Sequence, residues 1–163
     1  MFTFLKNLLI LPFNVLFTIP YILIYLNKNQ LFENYYYYYF IIGILIFIIG
    51  ISLFIRCVLL FFKFGNGTIA PWNPPKNFII KGPYKYVRHP MIIGVNLILV
   101  SEFLILNSLI IILWNLFFFV INVLYLKYVE EEKLISRFGI SYKEYKKNVH
   151  PWIPKIKPYS TNK

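Results

Sequence analysis

One cysteine, Cys57, occurs in the 163 residues, so no disulfide can close within the chain and thiolates cannot assemble a zinc site. Cys57 lies in an apolar run beside Arg56 and reads as a small packing residue. Alanine is equally scarce. Ala70 is the only one, so the long apolar N-terminus has no A-x-A step and is not expected to be a removable signal peptide. Acidic residues are few, 6 against 17 Lys and Arg, for a net charge of +11. That excess would suit nucleic acid, but its placement does not. Five basic residues fall between Lys63 and Arg88 and nine from Lys127 to Lys163. These stretches flank apolar runs, where cytoplasmic loops carry their positive charge and meet anionic headgroups. The expected partner is the bilayer and not nucleic acid, and no metal site is expected.

What is abundant is compatible with lipid. Hydrophobic residues make up 59% of the chain, and several runs approach the roughly 20 residues that cross a bilayer as a helix. In lipid the backbone must satisfy its own hydrogen bonds, so these runs are helices. The chain reads as an all-α integral membrane protein, a single domain with four transmembrane helices. Residues 1–62 hold two N-terminal spans, 63–89 a cytoplasmic loop, 90–129 a helical hairpin and 130–163 an amphipathic tail.

The first span runs from about Leu8 to Leu26, bent at Pro12 and Pro20. After the sparsely charged link Asn27 to Asn34, five tyrosines, Tyr35 to Tyr39, form an interfacial belt before a second span that reaches about Phe62. Gly43 and Gly50 share a face of that span, where another helix can pack closely; this leaves a homodimer open. Arg56 sits near the inner end and can snorkel to the headgroups. The Gly-, Pro- and Asn-rich stretch before His89 is a loop. Pro90 starts the third helix, which runs to about Leu106. Asn107 and Ser108 are the only polar break before the fourth, Leu109 to about Tyr128 or beyond. The hairpin returns the chain to the basic side, so the positive-inside rule places both termini in the cytoplasm. Beyond it, Leu134, Phe138, Tyr142, Tyr145 and Val149 make one apolar stripe. Gly139 interrupts that stretch, and Ser141 with Glu144 reads as a capping box that restarts it. The result is a juxtamembrane amphipathic helix expected to lie on the inner membrane surface.

Helices of 17 and about 22 residues are roughly 26 and 33 Å long, so Glu130 and Glu131 return to the side of Arg88 and His89, about a turn further out. Each group has a plain reading: Arg88 as a helix-end anchor, His89 as structural, the glutamates as a solvated face paired with Lys127 and Lys133. Yet the N-terminus of the helix at Pro90 favours an anion, and carboxylates facing it suit a cation or an amine. A zwitterionic ligand fits such a pocket, S-adenosylmethionine being one candidate. Glu102, inside a span nearer the hairpin tip, is expected to reach the far headgroups or bond to Asn107 or Ser108.

The segments "GTIAPWNPPKNFIIKGPYKYVRHPMIIG", "SEFLILNS" and "EEEKLISRFGISYKEYKKNVHPWIP" together resemble the isoprenylcysteine carboxyl methyltransferase family in its short prokaryotic form, and more distantly the phospholipid N-methyltransferases. The resemblance implies S-adenosylmethionine bound on the cytoplasmic side and methyl transfer to a membrane lipid or lipidated small acceptor. It implies that His89, Pro90, Gly94, Glu130 and Glu131 bind the cofactor, and that Arg88 and Glu131 serve catalysis. Many relatives carry a tyrosine where this chain has Ile92, and Val-Pro-Arg where it has Val149-His150-Pro151. Two other functions stay open. Sterol-type NADPH reductases also carry Arg-His-Pro, usually followed by Asn-Tyr where this chain has Met91-Ile92. A non-catalytic scaffold or lipid sensor would need no turnover at all.

Overall fold

A computed structural model of the chain describes residues 12–26, 37–65 and 77–160. The start of the first span, the link at 27–34, Tyr35, Tyr36 and much of the loop after Lys63 lie outside the described residues. The regular elements are all helical: α1 (Ile19–Leu26, entered through a π turn at Asn14–Thr18), α2 (Tyr37–Phe64), α3 (Pro90–Leu106), α4 (Leu109–Tyr125) and α5 (Glu131–Asn148). Two continuous helical stretches, Tyr37–Phe64 and Leu109–Asn148, are long and apolar enough to cross a membrane; Asn14–Leu26 and Pro90–Leu106 are shorter apolar helices.

The first span contains a π turn just before Pro20, and that proline explains it. A helical proline lacks an N–H and clashes with the carbonyl a turn earlier. Widening the preceding turn relieves the clash, and Ile19 N–H then bonds the carbonyl of Asn14. In that register Val15 O would look to the N–H that Pro20 lacks, and the indole Nε1 of Trp114 in α4 donates to it instead, at 3.2 Å. This bond ties the N-terminal helix to the hairpin beside a core of Leu16, Phe54, Val95, Ile98 and Leu99.

The glycine face of α2 is covered from within the chain. A Cβ at Gly50 would lie 3.1 Å from Gly94 O, and one at Gly94 would lie 3.1 Å from Gly50 O. The α2 and α3 backbones therefore touch at this crossing. The face read from sequence as open to a second copy is occupied by α3.

The last helical stretch agrees with expectation in one respect and differs in another. First, α4 runs on beyond Tyr128, as the sequence allowed. It continues through a π turn, Leu126–Glu130, into α5, with Glu131 N–H bonded to Leu126 O five residues back; no glycine or proline breaks the run. Second, the stripe on α5 does not face a membrane surface. Tyr142, Tyr145 and Val149 are buried against Phe78, Ile80 and Tyr159 of the same chain, with Phe78 stacked on Phe138 at 5.2 Å. Periodicity marks a face as apolar but does not say what covers it.

Gly139 interrupts α5, as expected, with φ 55° and ψ −127°. The helix folds back there, and Lys146 returns to within 2.6 Å of Glu131; a straight helix would hold residues 131 and 146 about 22 Å apart. An added Cβ at Gly139 would meet nothing within 4 Å, so only backbone strain opposes a side chain. Gly139→Ala is expected to lower stability by about 1–3 kcal/mol, measured by thermal unfolding in detergent. Ile48→Val on the exposed face of α2 should leave the transition unchanged.

Candidate functional site

The loop before α3 is held from both sides. Gly82, with φ 54°, opens a tight turn over Gly82–Lys85, and Tyr84 packs edge-on against Phe61 of α2 at 5.7 Å. The segment following α5 then runs alongside as a strap. Its carbonyls at His150 and Pro151 accept the N–H groups of Arg88 (3.0 Å) and His89 (3.3 Å), while Lys155 and Tyr159 donate to Tyr86 O and Lys85 O, each at 2.9 Å. Tyr145 adds a buried hydroxyl bond to Tyr84 O at 2.6 Å. Pro90, fixed in φ and lacking an N–H, then begins α3.

Against this fixed pair the hairpin returns Glu131, not a turn further out but in contact. Glu131 Oε1 accepts from Arg88 Nη1, and Oε2 pairs with Lys146. His89 Nε2 stands 3.9 Å from Oε1, in reach of its charge but too far for a hydrogen bond. The Arg88 and Glu131 side chains are only 8% and 9% exposed. Burial by itself would raise the Glu131 carboxyl; the neighbouring His89 ring, the bonded Lys146 ammonium and the charge of Arg88 outweigh it and hold it down at about 2. Glu130 goes the other way. Burial raises its carboxyl and the neighbouring Glu131 adds to this, against a smaller pull from His89 and Lys133.

A cavity of about 620 Å³ opens beside this cluster, within the size that holds a cofactor-sized ligand. Its lining falls into two groups. Val15, Met91, Ile92, Val95 and Phe118 come from the apolar helices; Phe78, Leu134, Phe138, Tyr142 and Tyr145 come from the C-terminal cluster. Arg88, His89 and Glu130 belong to the same lining. Arg88 Nε, His89 Nε2 and the Tyr142 hydroxyl are buried without a hydrogen-bond partner among the described residues, although such groups are normally satisfied. Burial pushes the Tyr142 phenol up to about 12, so its hydroxyl is available as a donor.

The two glutamates expected to act together are therefore separated in placement. Glu130 lines the large cavity, whereas Glu131 lines a second one of about 500 Å³, which Arg88 and His89 also line. Gly94 sits in the α2–α3 crossing and Pro90 is buried; neither is in the lining of either cavity. Ile92 lines the large cavity and supplies no hydroxyl there. Glu102 lines neither, and its Oε2 is buried without a partner among the described residues. Sequence reasoning missed Lys146, whose approach needs the reversal at Gly139, and the role of Tyr142, which it placed only in an apolar stripe. The unusual tyrosine within that stripe was the available signal.

Residues 38–141 match the family model described as phospholipid methyltransferase. The match covers well over half of the chain, includes Arg88, His89 and both glutamates, and ends one residue before Tyr142. Its description is that of the more distant relatives named above and not of the isoprenylcysteine carboxyl methyltransferases. No curated protein matches the chain.

Glu131→Gln leaves Arg88 buried and uncompensated, an expected loss of about 3–5 kcal/mol. The pH dependence has a definite sign. The folded carboxyl lies near 2 against an ordinary 4.5, so its contribution is complete above about pH 4.5 and is lost as pH falls towards 2. Thermal unfolding of the two proteins across that window should show the gap closing on acidification.

Proposed function

This chain belongs to the phospholipid methyltransferase family, and we propose that it transfers a methyl group from S-adenosylmethionine to a lipid-like acceptor held in the bilayer. The observation that carries this reading is the bipartite lining of the large cavity, apolar helices on one part and an aromatic, donor-bearing cluster on another, with Arg88, His89 and Glu130 in the same wall.

The residues present fit the cofactor. The unpartnered donors on Arg88 and Tyr142 would hold its carboxylate, Glu130 would face its amine or positive sulfur, and Phe78 and Phe138 offer rings for the adenine. The cofactor supplies an electrophilic methyl group on a sulfonium centre. The chain's own task is mainly to place the reactants in line and keep water away. Glu131 serves by holding Arg88, since both of its oxygens are already engaged by cations.

The acceptor is an amine or a carboxylate, and the charges favour the amine. Arg88 is neutralised by Glu131, whereas Glu130 has no ion pair among the described residues. An ammonium must lose a proton before it attacks, and Glu130, its carboxyl raised by burial, is placed to take it. Val15, Met91 and Val95 are the wall for the acceptor's hydrocarbon.

The topology proposed with this function has four spans and both termini in the cytoplasm. Lys63, Lys81, Lys85, Arg88 and Lys127 gather at the cavity end of the helices, as the positive-inside rule requires of the cytoplasmic side. Cysteine introduced at Leu106, exposed at the hairpin tip, should react with an impermeant maleimide from outside intact cells and cysteine at Ser160 only after permeabilisation; the reverse pattern refutes this topology.

Purified protein in detergent and lipid should bind S-adenosylmethionine by calorimetry. Tyr142→Phe should weaken binding about five- to tenfold, the value of one hydrogen bond, and His89→Ala should weaken it as well. Glu130→Gln should cut transfer to an aminolipid by about a hundredfold or more. Absence of binding in several lipids would sink the proposal. Labelled methyl donor on total membrane lipids identifies the acceptor.

A further inference from the structure

The strap after α5 carries a histidine that methyl transfer does not call upon. His150 is exposed, yet its ring is engaged: Nδ1 accepts the N–H of Trp152 at 3.3 Å and of Ile153 at 3.1 Å. Accepting at Nδ1 leaves the ring proton of the neutral imidazole on Nε2. The carbonyl of the same residue accepts Arg88 N–H, and the next, Pro151, accepts His89 N–H. Trp152 then lies with its ring 5.5 Å from His89 and edge-on to Phe119 of α4 at 5.2 Å. Within three residues the strap grips the backbone of Arg88 and His89 and places Trp152 beside the His89 ring.

We propose that His150 is a positioning residue for this site, its imidazole capping the turn at 150–153 and thereby holding Trp152 against His89. The role rests on the methyltransferase reading above for its functional meaning, but not for its structural one. The turn needs a side-chain acceptor. Pro151 offers no N–H of its own and is fixed in φ, so the two following N–H groups bend back over residue 150. Short side chains such as Asn and Asp close turns in this way by accepting from the backbone two residues on; here the imidazole nitrogen does so. Opening the turn would free Trp152, uncover His89 towards the second cavity, which both residues line, and loosen the two carbonyls that hold Arg88 and His89.

The test uses the full-length protein in detergent. His150→Ala removes the acceptor and His150→Asn restores one near the backbone. The first readout needs no cofactor: trypsin cleavage after Lys155, whose N–H is bonded to Tyr86 O, followed by mass spectrometry. Cleavage of His150→Ala should be about fivefold faster than wild type, the scale of one or two lost hydrogen bonds, and His150→Asn should stay within about twofold. The second readout is calorimetric binding of S-adenosylhomocysteine. His150→Ala should bind about fivefold more weakly, with rescue by His150→Asn. Trp152→Ala and the double variant should match one another, because His150 acts through Trp152.

Wild-type behaviour of His150→Ala in the trypsin readout overturns the proposal. So does His150→Asn as impaired as His150→Ala, or a double variant that loses the sum of both effects. If His150→Ala does not fold, His150→Gln, whose acceptor sits one carbon further out, takes its place. Failure of the wild type to bind the cofactor product strikes the methyltransferase reading alone, since cleavage at Lys155 still judges the strap.

Discussion

A carboxylate withdrawn from water must be met by cations, and Glu131 is met from two directions. Arg88 reaches it from the loop before α3, and Lys146 from the far half of its own helix. Each approach requires a departure from regular geometry. The hairpin has to return to the level of Arg88, and α5 has to reverse. Breaking either approach would strand a buried charge, so this one cluster joins the hairpin, the loop and the C-terminal helix into a single unit. The cavity wall is built on that unit.

The same cluster explains why neighbouring glutamates behave differently. Glu131 is held ionised by the groups around it, while the carboxyl of Glu130 is raised by burial. One serves as a structural anion and the other is left facing the cavity with Arg88 and His89. Opposite shifts on adjacent residues give the two carboxylates different electrostatic settings, one fixed as an anion and one easier to protonate. Consecutive residues on a helix point about 100° apart, so the two side chains reach different cavities.

Much of this was legible before any fold was known. The start of α3 at Pro90, its end at Leu106, the hairpin tip at Asn107-Ser108 and the break at Gly139 follow from local chemistry: a proline that tolerates the first turn, two polar residues between apolar runs, and a glycine free to take a positive φ. The return of the glutamates to the side of Arg88 and His89 also followed, because a hairpin brings its outer ends back together; their direct contact with Arg88 did not. What covers the α5 stripe did not follow. Phe78 lies more than 55 residues before Phe138 in the chain, and nothing in a periodic pattern says whether lipid or another segment will bury it.

Sequence by itself therefore determined the helical membrane class, the hairpin and the four polar groups that share its mouth. These depend on hydropathy and on spacing within a turn or two, which act on neighbouring residues regardless of the rest of the chain. The tertiary structure alone decided which glutamate pairs with Arg88, that Lys146 joins them, and that α3 covers the glycine face of α2. Those outcomes depend on the phase accumulated through a π turn, on a helix reversal at Gly139 and on contacts between distant segments, and small changes of direction in a backbone move the side chains that follow by many ångströms.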